Sequence, residues 1–210
     1  MNELPDLKKL ERKMFQTLFQ DGIYEFAFAV LFLGMALNPW LAENGISKAF
    51  LYTFELILAA TIIVLGKRIF TVPRLGRVKF SEKRKKISLN ILMGGILLNV
   101  LFLMAGFVFQ DGIANQGNSN YMLTILFSFG FLLIFAVLAY LSSFPTLFLA
   151  GLLFATSIPV SEYLYPYLGE PADGMIPFGI SALIILALGI TKLSNFLNSN
   201  PKEMVEVSDV

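Results

Sequence analysis

A few side chains that can carry a proton or bind a ligand lie inside long apolar stretches of this sequence. Glu55 lies twelve residues before Lys67, which at the rise of an α-helix places it about 18 Å from that lysine. Asn99 lies thirteen residues after Lys86, or about 19 Å along the next apolar stretch. Because the two depths match, we predict a hydrogen bond between Glu55 and Asn99.

Glu55 has two interpretations. Hydrocarbon disfavours a charged carboxylate, so we expect Glu55 to be protonated at rest. In the first interpretation it makes one hydrogen bond between helices and fixes their packing. In the second it carries a proton or a cation in a transport path. The sequence favours neither.

The fifth apolar stretch contains a proline flanked by polar side chains. Pro159 lacks a backbone donor and therefore frees a carbonyl one turn earlier. Nearby hydroxyls are placed to compensate, namely those of Thr156, Ser157 and Ser161. Glu162 follows directly. Transporters use such broken helices at binding sites, but any kinked helix near an interface has the same residues. We favour the kink and keep Ser157, Ser161 and Glu162 as candidate site residues.

The segment 67–87 is strongly basic and separates the second and third apolar stretches. Its apolar residues alternate with polar ones, as in a strand. They are Phe70, Val72, Val78 and Phe80. Pro73 and Gly76 lie between them at positions typical of a type I turn. The pattern predicts a short, hairpin-like basic loop, followed by Ser81 as the N-cap of the third membrane helix.

The basic side chains of this segment suggest contact with lipid. Each contributes about 1 kcal/mol near an anionic leaflet, so one interpretation is that the segment sets topology and attracts anionic lipid. The alternative is a specific site for a lipid headgroup or another anion. The candidate ligands are Arg74, Arg77, Lys79, Lys83 and Arg84.

Two carboxylates stand at the start of the first apolar stretch. Asp21 precedes the stretch and suits the positive N-terminal end of a helix. Glu25 lies one turn further in. We predict that Glu25 forms a structural ion pair with a basic residue from 1–20 or from 67–87.

The motif Asp21-Gly22-x-x-Glu25, followed by Pro73-Arg74-Leu75-Gly76-Arg77-Val78-Lys79-Phe80, resembles a family of small uncharacterised prokaryotic multi-pass membrane proteins. That family has a similar acidic-Gly start and a Pro-Arg-x-Gly-Tyr-Val-x-Phe loop. Arg77 stands where the family has Tyr. The resemblance covers the first ninety or so residues and implies a prokaryotic cell-membrane location. The family has no assigned activity, so the resemblance implies no substrate.

The elements that position these residues are membrane helices. Of the 210 residues, 56% are hydrophobic and 15% are charged, and the mean hydropathy is +0.71. Soluble domains are about 25% charged. Apolar stretches of about 20 residues span a bilayer, and the sequence predicts six of them. They are 22–41, 47–66, 88–109, 121–141, 146–164 and 176–193. The predicted fold is an all-α bundle of six transmembrane helices in a domain covering 21–193.

The basic residues also set the predicted orientation. Of 16 Lys and Arg residues, 13 precede the first span or lie between the second and third. Lys48 alone falls on the opposite side. The positive-inside rule therefore predicts that both termini and the loop 67–87 are cytoplasmic. We predict an amphipathic interfacial helix in 1–20 and a disordered cytoplasmic tail at 194–210.

Three classes of function remain. The sequence has no His and no Cys, so zinc, haem and thiol sites built on those residues are excluded. We predict no catalytic residue, metal, cofactor or nucleic-acid partner. We favour a non-enzymatic accessory or regulatory protein that contacts anionic lipid, a membrane-protein partner or a second copy of itself. The alternatives are a small, proton-coupled transporter or channel subunit that uses Glu55 and, third, a lipid-modifying enzyme of the inner leaflet.

Overall fold

The computed structural model describes residues 19–75, 121–142 and 144–201. The helices are α1 (Ile23–Glu43), α2 (Lys48–Gly66), α3 (Val72–Leu75), α4 (Tyr121–Ser142), α5 (Pro145–Leu168) and α6 (Ala172–Ser199). A π-helical turn, Lys67–Thr71, joins α2 to α3, so Lys48–Leu75 is one continuous helix. Three predictions lie mainly outside the described residues, namely the helix in 1–20, the span 88–109 with Asn99, and the tail.

Five helices in the described part are long and apolar enough to cross a membrane. They are α1, the continuous helix Lys48–Leu75, α4, α5 and α6. Their positions match the first, second, fourth, fifth and sixth predicted spans. The prediction of an all-α protein with several membrane-spanning helices is therefore confirmed for this part of the chain.

The described helices extend beyond their predicted ends, and the extensions of α5 and α6 are among the longer ones. α5 continues to Leu168 and α6 to Ser199, whereas the predicted spans end at 164 and 193. The extension of α6 buries Phe196, and burial of an aromatic side chain stabilises the added turns. The predicted start of a disordered tail at 194 is therefore wrong by at least six residues.

The predicted hairpin is wrong over residues 67–75, the part of the segment 67–87 that the structure describes. Phe70 and Val72 lie on helical turns, not on a strand. Helical spacing instead places Lys67 and Thr71 on one face, where both bind Asp21. A proline ring clashes with the carbonyl four residues earlier in a regular helix. For Pro73 that residue lies within the π-helical turn, where the helix is wider.

The helices pack mainly on their neighbours in the order α2, α1, α6, α5, α4. The central contact is between α1, α5 and α6, and its fully buried residues are Ala29, Phe32, Ala150, Ala182 and Ile185. Small residues let membrane helices approach closely. The ring of Phe154 fills the space beside them and contacts the rings of Phe131 and Phe178. This contact between α1, α5 and α6 is thus largely apolar and packed.

Four helix ends meet at one end of the bundle, which we call the Asp21 end. Asp21 precedes α1 and binds Lys67 at the end of α2. Thr146, in the first turn of α5, accepts a hydrogen bond from Lys192 near the end of α6. Neighbouring helices are therefore antiparallel. This arrangement places Asp21, Glu25, Lys67 and Lys192 close together, and it places Glu55 well away from them along α2.

Candidate functional site

Glu55 forms a buried hydrogen-bonded pair with Asn38. The Nδ2 atom of Asn38 on α1 donates to Oε2 of Glu55 on α2 across 2.9 Å. The two residues are 6% and 8% exposed, respectively. The predicted partner, Asn99, lies outside the described residues. Glu55 therefore makes an interhelical hydrogen bond, as the first interpretation requires, but its observed partner is on the preceding helix.

Gly34 makes this pair possible. It lies one turn before Asn38 on the same face of α1, and a Cβ atom built on it would overlap the carboxyl group of Glu55. The absence of a side chain lets the Glu55 carboxyl lie flat against the α1 backbone. Gly34 and Asn38 thus form a seat for one carboxyl group, with space from the glycine and a donor from the amide.

A groove of about 400 Å³ opens between α1 and α2 at this seat. We call it the Glu55 groove. Glu55 and Asn38 contribute its two polar side chains, and the rest of its lining is apolar. The other lining residues are Val30, Leu33, Gly34, Leu37, Leu41, Phe50, Leu51, Phe54 and Leu58. Among the lining residues that the structure describes, none is basic.

Counting helix depth from the basic residues did not identify Asn38 as the partner of Glu55, although the sequence does contain the information needed to predict it. Asn38 lies five residues before the end of α1 at Glu43, and Glu55 lies seven residues after the start of α2 at Lys48. Counted from this connection, their depths along the helices are about 8 and 10 Å. The spacing of Gly34 and Asn38 by one turn also places them on one face.

A second polar cluster lies at the Asp21 end. Oδ2 of Asp21 accepts from Nζ of Lys67 and from Oγ1 of Thr71, each across 2.5 Å. Oδ1 accepts from the backbone N–H of Ile23 across 3.2 Å. Asp21 therefore binds the N-terminus of α1, as predicted, and also joins it to the end of α2.

Glu25 joins α1 to α6 and α5 in the same cluster. Its Oε1 atom lies 2.6 Å from Nζ of Lys192, which also donates to the hydroxyl of Thr146. The predicted ion pair of Glu25 is thus present, but its direct partner is Lys192 and not a residue of 1–20 or 67–87, although Lys67 of the latter segment is near enough to attract Glu25. Lys192 is the partner because α6 packs antiparallel to α1, which brings its last turns beside Glu25.

Gly22 explains the close approach of α1 to α6. Its φ of 80° lies in the left-handed region, which side chains other than glycine rarely adopt. A Cβ at this position would also overlap the carbonyl oxygen of Gly189 and the backbone nitrogen of Leu193. The Asp-Gly-x-x-Glu motif is therefore a helix start that contacts α2 through its first acid and α6 through its glycine and second acid.

Aromatic rings border the two lysines of this cluster. The rings of Phe19, Tyr24 and Phe144 contact one another, with centroid distances of 5.0–5.7 Å. Nζ of Lys67 lies 4.5 Å from the centroid of the Tyr24 ring, and Nζ of Lys192 lies 5.6 Å from that of Phe144. Cation–π contacts of this kind add to the ion pairs and shield them from water.

The predicted polar residues of α5 bind α6. The hydroxyl of Ser157 lies 2.9 Å from that of Ser181, and Ser161 donates to Asp173 across 3.2 Å. Ser157 donates to the carbonyl of Leu153. This is not the carbonyl that Pro159 leaves without a backbone donor, which belongs to the residue four before the proline. These contacts favour the packing interpretation of the kinked helix. Glu162 is half-buried in the same part of α5.

The predicted headgroup ligands fall mostly outside the described residues. Arg77, Lys79, Lys83 and Arg84 all do. Arg74 is described, and its Nη1 atom donates to the carbonyl of Phe70 across 3.0 Å. Arg74 thus has a structural role within its own helical turn.

The structure separates the candidate residues into distinct sites. Glu55 lines a groove between α1 and α2, whereas Ser157 and Ser161 bind α6. In the described ranges, no three His, Cys, Asp or Glu residues are grouped so that they could hold a metal ion.

The resemblance to a family of prokaryotic membrane proteins stays a prediction. Comparisons of the chain with known protein families, with curated proteins and with solved structures give no match.

Proposed function

We propose that this chain is a non-enzymatic accessory protein of the prokaryotic cell membrane, with six spans, that contacts anionic lipid through its basic cytoplasmic segment 67–87. The observation that carries the proposal is the charge balance at the Asp21 end. The buried carboxylates Asp21 and Glu25 are each neutralised by one lysine, Lys67 and Lys192. The segment 67–87 contains eight other basic residues and a single acidic residue, Glu82.

The proposal puts this positive excess at the level of the lipid headgroups. The segment continues from the end of α2, at the bundle end that the positive-inside rule assigns to the cytoplasm. Anionic lipids of that leaflet attract clustered Lys and Arg, by about 1 kcal/mol for each charge near the surface. The apolar, packed contact between α1, α5 and α6 supports an accessory role more than a polar transport path.

Chain geometry supports six spans. α2 ends at the Asp21 end, and α4 also ends there, because the start of α5 follows it and carries Thr146. α4 has 22 residues, so its start lies about 33 Å away. The segment 76–120 must therefore connect opposite ends of the bundle. It contains the apolar stretch 88–109, which is long enough to cross a bilayer.

The proposal is tested by measuring lipid selectivity. The full-length protein is reconstituted in mixed phosphatidylcholine and phosphatidylglycerol membranes, and the lipids that co-purify with it are counted by native mass spectrometry. We expect phosphatidylglycerol to be enriched around the unchanged protein. Lys79→Gln should lower that preference roughly fivefold, as loss of about 1 kcal/mol requires. The fourfold change of Arg77, Lys79, Lys83 and Arg84 to Gln should abolish it.

Lys48→Gln is the matched control, because it removes one exposed lysine from the opposite end of the bundle. We expect it to leave the preference unchanged. Equal loss in Lys48→Gln and Lys79→Gln would show that overall charge, and not the segment, attracts the lipid. Enrichment that survives the fourfold change would overturn the proposal.

A further inference from the structure

We propose that the Glu55 groove binds an alkylammonium amphiphile, with the ammonium group on Glu55 and the alkyl chain along the groove. This site lies about 18 Å along the helix from Lys67, where the basic segment begins, and the inference does not depend on the proposed lipid contact. It is supported by three properties of the groove, namely its charge, its lining and its accessibility from the bilayer.

Glu55 is expected to hold a proton at rest, so a ligand for its carboxylate must be a cation that takes the place of that proton. Asp21 and Glu25 each contact a lysine, whereas the hydrogen bond of Glu55 comes from a neutral amide. The described lining of the groove contains no basic residue. A carboxylate at membrane depth is costly without a partner of opposite charge. A ligand that brings its own positive charge supplies that partner.

The polar atoms of the groove favour an ammonium group over a bare metal ion. A carboxylate offers about four lone-pair positions, and an amide oxygen two more, whereas an ammonium group has three donors to fill them. Only Glu55 and Asn38 contribute polar side chains to the described lining. A metal ion such as Ca²⁺ needs about six to eight oxygen ligands, which is more than this groove presents.

The apolar part of the groove suits a hydrocarbon chain. Its volume of about 400 Å³ is within the usual range of sites for small molecules, roughly 300–1,000 Å³. The wall residues Leu33, Leu37, Phe50 and Phe54 are 37–62% exposed. An amphiphile that has partitioned into the bilayer can therefore reach the groove sideways, with its chain already in hydrocarbon.

Decylamine is a suitable probe, because a primary amine with a pKa near that of Lys is charged at neutral pH. The full-length protein is placed in phosphatidylcholine nanodiscs and titrated with decylamine. The emission of Trp40, the single tryptophan, reports on binding because it lies three residues after the wall residue Leu37 and is therefore its neighbour on the surface of α1. We expect a saturable change with decylamine. Decanol, which has the same chain without the charge, should bind at least roughly tenfold more weakly.

Two variants test the two parts of the site. Glu55→Gln keeps an oxygen that can accept from Asn38 but removes the charge, so we expect decylamine affinity to fall roughly 10- to 100-fold. Leu37→Phe narrows the groove and leaves the carboxylate intact, so it should also weaken binding. Glu162→Gln, on α5, is the matched control and should bind decylamine as the unchanged protein does.

Three results would overturn the proposal. The first is a change in emission that rises without saturation and equally for decylamine and decanol, which indicates partitioning into the bilayer only. The second is an unchanged decylamine affinity in Glu55→Gln. The third is equal loss of affinity in Glu55→Gln and Glu162→Gln, which would assign the attraction to overall charge.

Discussion

At the scale of single residues, the buried carboxyl groups of the described part have two kinds of partner. Asp21 and Glu25 are fully buried and each contacts a lysine. Glu55 contacts an amide and lies against Gly34. Lysine-paired acids hold helices together as fixed charges, whereas an amide-paired acid can still accept a cation or a proton. The two pairs at the Asp21 end thus join helices through charge, whereas Glu55 joins α1 and α2 through a neutral hydrogen bond.

The close contact between Gly34 and Glu55 predicts how adding one methyl group at position 34 changes the stability of the protein. Gly34→Ala should destabilise the protein by about 1–3 kcal/mol, because the new Cβ would push the Glu55 carboxyl towards the groove and leave the buried amide of Asn38 without its hydrogen-bond partner. This loss outweighs the gain of at most about 1 kcal/mol from replacing glycine within a helix. Unfolding monitored by circular dichroism in mild detergent measures the difference.

Gly179→Ala is the matched control for that substitution. Gly179 lies in α6, and a Cβ there would meet no atom within 4 Å, so the variant should be as stable as the unchanged protein or slightly more so. If Gly34→Ala were as harmless as Gly179→Ala, the close contact with Glu55 would be refuted.

At the scale of elements, the continuation of α2 through Lys67–Thr71 into α3 can be tested by chemical labelling. The sequence contains no cysteine, so single cysteines can be introduced without background. Arg68 and Ile69 are both exposed, and Thr71 is 2% exposed. We therefore expect a maleimide to label Arg68→Cys and Ile69→Cys readily and Thr71→Cys slowly. A strand would instead expose alternate residues. Slow labelling of Ile69→Cys together with fast labelling of Arg68→Cys would therefore contradict the helix.

The elements show what could be predicted from sequence. The described spans were predictable because a membrane helix is specified by length and apolar composition alone. The hairpin prediction failed over the described residues because a single pair of alternating apolar residues, Phe70 and Val72, fits a strand and a helical turn almost equally well. Thr71 decides between them through its contact with Asp21, which lies fifty residues away. Local periodicity contains no information about that contact.

The lack of long-range information in local sequence patterns also explains which residues of the sites could be predicted and which could not. Glu55 and Ser157 were identifiable from residue type and depth, because polar groups in membrane helices usually face other helices. Their partners, Asn38 and Ser181, were not, because partner choice depends on which helices are neighbours. The order α2, α1, α6, α5, α4 is a property of the packed bundle. It also explains why Glu25 contacts Lys192 and not a residue of the basic segments.

At the scale of the whole molecule, the two ends of the bundle differ in how charge is arranged. At the Asp21 end, acids and lysines from different helices are paired inside the bundle, next to a segment with a large excess of basic residues. Near the opposite end, Glu55 lies in an apolar groove between two helices. A lipid-binding surface and a ligand-binding groove can therefore coexist without sharing residues.

The Asp21 end should also govern the stability of the whole bundle. Glu25 is fully buried, and its Oε2 atom has no hydrogen-bond partner among the described residues, so its charge depends strongly on Lys192. Removing one partner of a buried ion pair costs about 3–5 kcal/mol. Because the Lys192 side chain is 30% exposed, we expect Lys192→Met to cost about 3 kcal/mol, the lower end of that range.

A double-mutant cycle separates this ion pair from simple loss of a lysine. Glu25→Gln combined with Lys192→Met removes both charges, so the double variant should be more stable than Lys192→Met alone. Lys48→Met, at the exposed start of α2, should change the unfolding free energy by less than about 0.5 kcal/mol. Strictly additive effects of the two substitutions would show that Glu25 and Lys192 do not interact. Coupling between them would establish that α1 and α6, far apart in sequence, are held together by charge at this end.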